Sequence, residues 1–198
     1  MRPKNVEKEA AIRKMALQII AEEGLEHLSM QKLAKAANIS PRTIYIKYEN
    51  KEDLLVKLFV EEVLGDYERA VLLNFSDTME FAAGVRKLWL NGWNYFKSNR
   101  PAFALMLYGK SSPLLNKAFQ EKNIKQGQYF GVIHRWLKGH TNKGVIRNLP
   151  FEAQRALLFA PLTDLVNEYF EHADRPKQVI TEKVLTECCE AVIKSLLK

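Results

Sequence analysis

Two short capped helical stretches, separated by a tight turn, constrain this chain more than anything else in its sequence. Met30, Leu33, Ala34 and Ala37 recur at the spacing of one helical face, and Ser29 stands where such a helix is capped. Asn38 and Ile39 follow. Asparagine tolerates the left-handed conformation that ends a helix. Ser40 can cap the next helix, and Pro41 falls at the first position, where proline is favoured. The turn is about three residues long, which gives a helix-turn-helix. The third helix runs to Tyr48. Asn50 opens a fourth, with Asp53 three positions on as the partner in a box-like cap.

The preceding segment fits this frame. Ile12, Met15, Ala16, Ile19 and Ile20 form one apolar stripe on a first helix, and Gly24 marks its end. The fourth helix carries Val56, Phe59, Val60, Val63, Leu64, Tyr67 and Val71 on one side and Leu54, Leu55 and Leu58 on another. A helix apolar on two faces packs against two bodies. Further helices are expected over 77–98 (Asp77 as cap), 101–108, 113–139 (Ser112 as cap), 150–172 and 177–197. Pro161 is expected to kink or break the fourth of these. No alternating strand pattern occurs, so the fold class is all-α. The expected division is a helix-turn-helix domain over 1–50 and a helical domain over 51–198.

In the third helix, Ile44 and Tyr48 lie four apart and can face inward. Arg42, Thr43, Ile46 and Lys47 then face outward. A helix entering the major groove needs this division. Arginine reads guanine with two hydrogen bonds, and threonine can bond to a base or pack on a thymine methyl. Tyr45, Lys47 and Lys51 suit phosphates, which fix position without specifying sequence. Lys51 also lies at a helix N-terminus, where free backbone N–H groups attract an anion. Ser29, Gln31 and Ser40 can reach the backbone beside the groove.

Residues 12–55 resemble the DNA-binding domain of the TetR/AcrR family of bacterial transcriptional regulators. The resemblance runs through Ala16, Gly24, Ser29, Ala34, Ala37, Ser40, Thr43, Tyr45 and the block Lys51-Glu52-Asp53-Leu54. Asn38 stands where the family usually has glycine, and Tyr48 where phenylalanine is usual. A tyrosine there adds a hydroxyl that needs a partner. The resemblance implies that Tyr45 and Lys51 contact phosphate and that the start of the third helix reads bases. It also implies a C-terminal domain that dimerises and binds a small ligand. The last two helices would then pair with a second copy as a four-helix bundle. On them the candidate interface residues are Leu162, Leu165, Val166, Tyr169, Leu185, Cys188, Val192 and Leu196.

The formal net charge of +7 favours a polyanionic partner. Most of the excess lies in residues 86–147, where twelve Lys and Arg face only Glu121. This segment is also aromatic. Trp89, Trp93, Phe96, Phe103, Tyr108, Tyr129 and Phe130, with Ile133, are the candidate lining of a hydrophobic pocket. A cationic ligand would want a carboxylate. Arg86, Arg100, Lys110 or Arg135 would suit an anionic amphiphile such as a fatty acid or its thioester. The competing reading is an ordinary core under a solvated basic exterior.

Other classes find little support. The four histidines lack metal-ligand spacing, so no metal or cofactor is expected. Adjacent Cys188 and Cys189 cannot staple distant segments, and no catalytic constellation occurs. No apolar run spans a bilayer, and the charged N-terminus does not read as a signal peptide. The expectation is a cytoplasmic, non-enzymatic, homodimeric regulator, most simply a repressor, that binds operator DNA and a small hydrophobic effector. The alternative is an architectural or division-linked DNA-binding protein on the same scaffold without a small-molecule switch.

Overall fold

The computed structural model describes residues 3–113, 116, 120 and 129–198, with side chains from Glu7 onward. Its described elements are helical: α1 (Pro3–Glu23), a 3-10 turn (Leu25–His27), α2 (Met30–Ala36), α3 (Pro41–Lys47) and α4 (Lys51–Leu58). A π-helical segment (Phe59–Asp66) follows, then α5 (Tyr67–Val71), α6 (Phe81–Ser98), α7 (Arg100–Ser111), α8 (Gly131–Asn142), α9 (Phe151–Glu171) and α10 (Glu182–Leu196). Two compact units result. One is the chain up to Asp66 together with α7; the other is α5, α6 and the chain from Tyr129 onward.

In the first unit the apolar stripe of α1 meets α2, α3 and α4. Ile12, Ala16, Ile19, Ile20, Leu33, Ile44, Leu54 and Leu58 are buried in one cluster. Leu55, Phe59 and Val63 are buried in successive steps of four, without the step of three that an α-helix would alternate with it. That is the signature of the wider π-turn, which carries one more residue per turn. It also explains why the fourth-helix pattern reads as apolar on two faces. α7 approaches this segment closely: a Cβ on Gly109 would sit 2.1 Å from the Phe59 ring.

The second unit is built around tryptophans. Trp89 and Trp136 are fully buried, and each indole N–H donates to a carbonyl: Trp89 to Leu158 at 2.8 Å, Trp136 to Met79 at 2.9 Å. Leu158 lies in the turn of α9 that Pro161 disturbs. Of the two outcomes expected at Pro161, a kink or a break, the break does not occur, for α9 runs past it to Glu171. Side-chain donors serve this turn: the Trp89 indole bonds to Leu158, and the Thr163 hydroxyl to the Phe159 carbonyl at 2.9 Å.

Helix ends depart from the sequence expectation where a local cap wins. α6 starts at Phe81, not 77, because the Glu80 carboxylate accepts the N–H groups of Ala82 and Ala83 at 3.1 and 2.9 Å. These bonds hold the Glu80 carboxyl below its ordinary range. Asp77 is instead 3.5 Å from the Arg135 guanidinium. α10 starts after Thr181, whose hydroxyl accepts from Val184 N–H at 3.3 Å. The single helix expected over 113–139 is interrupted at Phe130, which adopts φ +57° and precedes α8. Most of its first half lies outside the described residues, as does Glu121.

Candidate nucleic-acid interface

The turn between α2 and α3 forms as its residues require. Asn38 takes φ +52°, and the Ile39 N–H returns to the Ala34 carbonyl at 2.9 Å. The Ser29 hydroxyl caps α2 by accepting from Lys32 N–H at 3.1 Å. The Ser40 hydroxyl caps α3 by accepting from Thr43 N–H at 3.3 Å and lies 2.8 Å from the Thr43 hydroxyl. Asn50 caps α4 by accepting from Asp53 N–H at 2.9 Å, and Asp53 accepts in return from Glu49 N–H at 3.2 Å.

These caps fix the faces of α3. Ile44 and Tyr48 point into the core. Arg42, Tyr45 and Ile46 are exposed; Tyr45 shows 47% of its surface and Ile46 75%. Ser29, Gln31 and Ser40 are exposed beside them, and Thr43 is half-buried. An apolar side chain as open as Ile46 beside an arginine and a tyrosine makes a surface suited to a partner with apolar and polar edges.

Lys47 differs from expectation. Its ammonium turns back to α1 and pairs with Glu9, so it is not on the outward face. The Lys51 ammonium donates to the Leu25 carbonyl at 2.7 Å, which ties the start of α4 to the 3-10 turn. Tyr48 packs beneath the Lys57 ammonium, 5.2 Å from its ring centre. Burial, with the carboxylates of Glu9 and Glu61 nearby, pushes the Tyr48 phenol up to about 12.

The eight candidate pocket residues divide between the units. Phe103 and Tyr108 fall in the first; Trp89, Trp93, Phe96, Tyr129, Phe130 and Ile133 fall in the second. Tyr129 and Phe130 are half-buried, and the other four of this group are buried. Tyr67 was missed. It stacks on Phe96 at 4.4 Å and lies 5.5 Å from Tyr95 and 5.8 Å from Phe130. Desolvation pushes its phenol well above the ordinary value. The available signal was its place on the fourth-helix stripe, outside the aromatic-rich segment.

Two of the basic groups considered for an anionic ligand are engaged on the surface. Arg86 binds both carboxylate oxygens of Glu190, at 2.5 and 2.9 Å, and Arg135 faces Asp77. The candidate dimer residues also divide. Leu162, Val166, Leu185 and Leu196 are buried within the chain itself and are not available to a second copy. Leu165, Tyr169, Cys188 and Val192 are half-buried, and Leu157, on the same helix as Leu165, is 42% exposed. Cys189 is buried, and its thiol is pushed up to about 11 by desolvation and by Glu190. Among the described residues no three His, Cys, Asp or Glu form a group able to hold a metal, and no helix is long and apolar enough to cross a membrane.

Residues 12–58 match the family described as bacterial regulatory proteins, tetR family. Over 117 residues the chain is 33% identical to an HTH-type transcriptional regulator of Haemophilus influenzae, covering 59% of this chain and 61% of that relative. The chain therefore matches less than two thirds of the relative's length. In fold it resembles a TetR family transcription regulator from Marinobacter aquaeolei, with a TM-score of 0.84 at 22% identity over 100% of both chains. It also resembles the transcriptional regulator FadR from Bacillus subtilis in complex with stearoyl-CoA, with a TM-score of 0.72 at 16% identity, covering 93% of this chain and 97% of that one. Residues 12–58 thus carry the helix-turn-helix of the tetR family of bacterial regulatory proteins, and the chain over its whole length has the fold of a TetR family transcription regulator.

Proposed function

We propose that this protein is a DNA-binding transcriptional repressor that reads a palindromic operator as a homodimer and leaves it when a small hydrophobic effector binds. The observation that carries the reading is the outward face of α3, where Arg42, Tyr45 and Ile46 stand exposed on a helix capped and braced from behind. The functional division falls near residue 50, with DNA reading before it and ligand binding and dimerisation after it. Two copies would place their α3 helices about 34 Å apart, one turn of DNA. The half-exposed stripe of Leu157, Leu165, Cys188 and Val192 is the face offered to the second copy. Repression and release are two conformations with different affinity for DNA and effector, coupled reciprocally.

Selection of sheared genomic DNA with the purified protein, followed by sequencing and a salt titration, tests this reading. One or a few palindromic sites near promoters are expected. Diffuse, steeply salt-dependent binding would instead support the architectural alternative. On the selected site, Arg42→Ala is expected to lose roughly 1–3 kcal/mol of discrimination at one base position, whereas Tyr45→Phe weakens all sequences alike. Equal losses for Arg42→Ala on operator and random DNA would contradict its base-reading role.

The effector class proposed is a long acyl chain with an anionic head. The fold neighbour that holds stearoyl-CoA and the largely apolar ring cluster around Tyr67 and Phe96 support it. A long-chain acyl-CoA at about a hundred times its Kd should stabilise the protein by about 2.7 kcal/mol and lower operator affinity. Cationic dyes that raise the melting temperature where acyl chains do not would end this proposal.

A further inference from the structure

The last turn of α3 is fastened from two sides. The Lys47 ammonium is paired with Glu9 on α1. The Lys47 carbonyl accepts a hydrogen bond from the Lys57 ammonium on α4 at 3.0 Å. The same ammonium lies 2.8 Å from an Asp53 carboxylate oxygen, and it caps the Tyr48 ring. Asp53 is only 5% exposed, and its carboxylate also accepts from Glu49 N–H. The final carbonyls of a helix have no partner within it, and a cation there also meets the negative end of the helix dipole. A carboxylate this buried is costly unless paired and hydrogen-bonded. One ammonium therefore answers two needs: it compensates Asp53 and ties the end of α3 to α4.

We propose that Lys57 is a positioning residue for DNA reading, one that fixes the angle of α3 through the Lys47 carbonyl without itself meeting the DNA. The proposal rests on the reading of α3 as the helix that enters the groove. With the tie in place, α3 is held in one orientation before DNA arrives. Without it, only a fraction of molecules present Arg42, Tyr45 and Ile46 together, and apparent affinity falls by that fraction. The bound state still makes the same phosphate contacts. The dependence of affinity on salt, which counts those contacts, is thus unchanged.

The test measures the affinity of full-length wild-type, Lys57→Met and Lys57→Arg proteins for the most enriched genomic fragment, at several salt concentrations. Lys57→Met is expected to bind roughly tenfold more weakly, the range of one lost hydrogen bond to a charged group, with the wild-type salt slope. Lys57→Arg, which can still bridge a carboxylate and a carbonyl, is expected to recover most of the loss. A slope shallower by about one would mean that Lys57 contacts phosphate directly and would overturn the proposal. So would an unchanged affinity, or a loss that vanishes when binding is measured well below both melting temperatures. Should Lys57→Met fail to fold, Lys57→Gln, a neutral donor, takes its place under the same criteria. If the wild-type protein enriches no fragment, the DNA-reading function itself fails. Enrichment by the wild type with no effect of the variant removes only the role of Lys57.

Discussion

Trp136→Ala is expected to destabilise the second unit by roughly 3–5 kcal/mol, a large share of what holds a domain together. Trp136 is 1% exposed, stacks on Phe81 at 5.4 Å and meets Phe75 and His140 edge-on, each at 5.2 Å. Its N–H and the His140 Nε2, 2.9 and 3.0 Å away, both converge on the Met79 carbonyl. A carbonyl only accepts, so Nε2 is the donor in this contact. Truncation opens a cavity and removes one of the two side-chain bonds to the Met79 carbonyl. The same contact predicts the reverse error: a Cβ on Gly84 would lie 2.4 Å from the indole, so Gly84→Ala overpacks and costs about 1–3 kcal/mol. Once the indole is gone that cost should disappear. Urea unfolding of the two single variants and the double variant measures this coupling. A loss below about 1 kcal/mol for Trp136→Ala, or an equal cost of Gly84→Ala in both backgrounds, would show that the indole is not the centre of this core.

What the sequence disclosed and what it hid separate by range. The caps at Ser29, Ser40 and Asn50 and the left-handed turn at Asn38 are decided within a few residues, and all formed as read. Two caps competed at the start of α6, and there the reading failed: Asp77 had the right residue type, but Glu80 had the bonds. Lys47 was misplaced because its partner, Glu9, lies 38 residues earlier, beyond any local pattern. The π-segment at Phe59–Asp66 hid inside a pattern that looked like a two-faced α-helix. On α9 and α10 an apolar position says only that something covers it. Val166 and Leu196 are covered by their own chain, whereas Leu165 and Val192 are only half-buried, and periodicity assigns all four the same way.

The largest functional effect is expected from Ile46→Glu. Ile46 is 75% exposed and contributes little to the core, so the substitution should change stability by no more than about 0.5 kcal/mol. On DNA the outcome differs. A carboxylate on the outward face of α3 would meet the phosphate-lined groove, and like charges brought together cost several kcal/mol. The introduced carboxylate would also stand one helical turn after Arg42, at the spacing where opposite charges pair, and would divert the guanidinium from its base. The repulsion acts against every sequence, and the diversion of Arg42 adds to the loss on the operator. Binding to operator and random DNA should each fall by a factor on the order of 100 or more at 0.15 M salt. Ile46→Ala separates the apolar contribution: it adds no charge, and its loss should be confined to sites where a thymine methyl faces position 46. Anisotropy titrations on operator and random duplexes, with melting temperatures alongside, read all of this. Wild-type affinity in a folded Ile46→Glu protein would place the outward face of α3 away from DNA, and the proposed reading would have to find another surface.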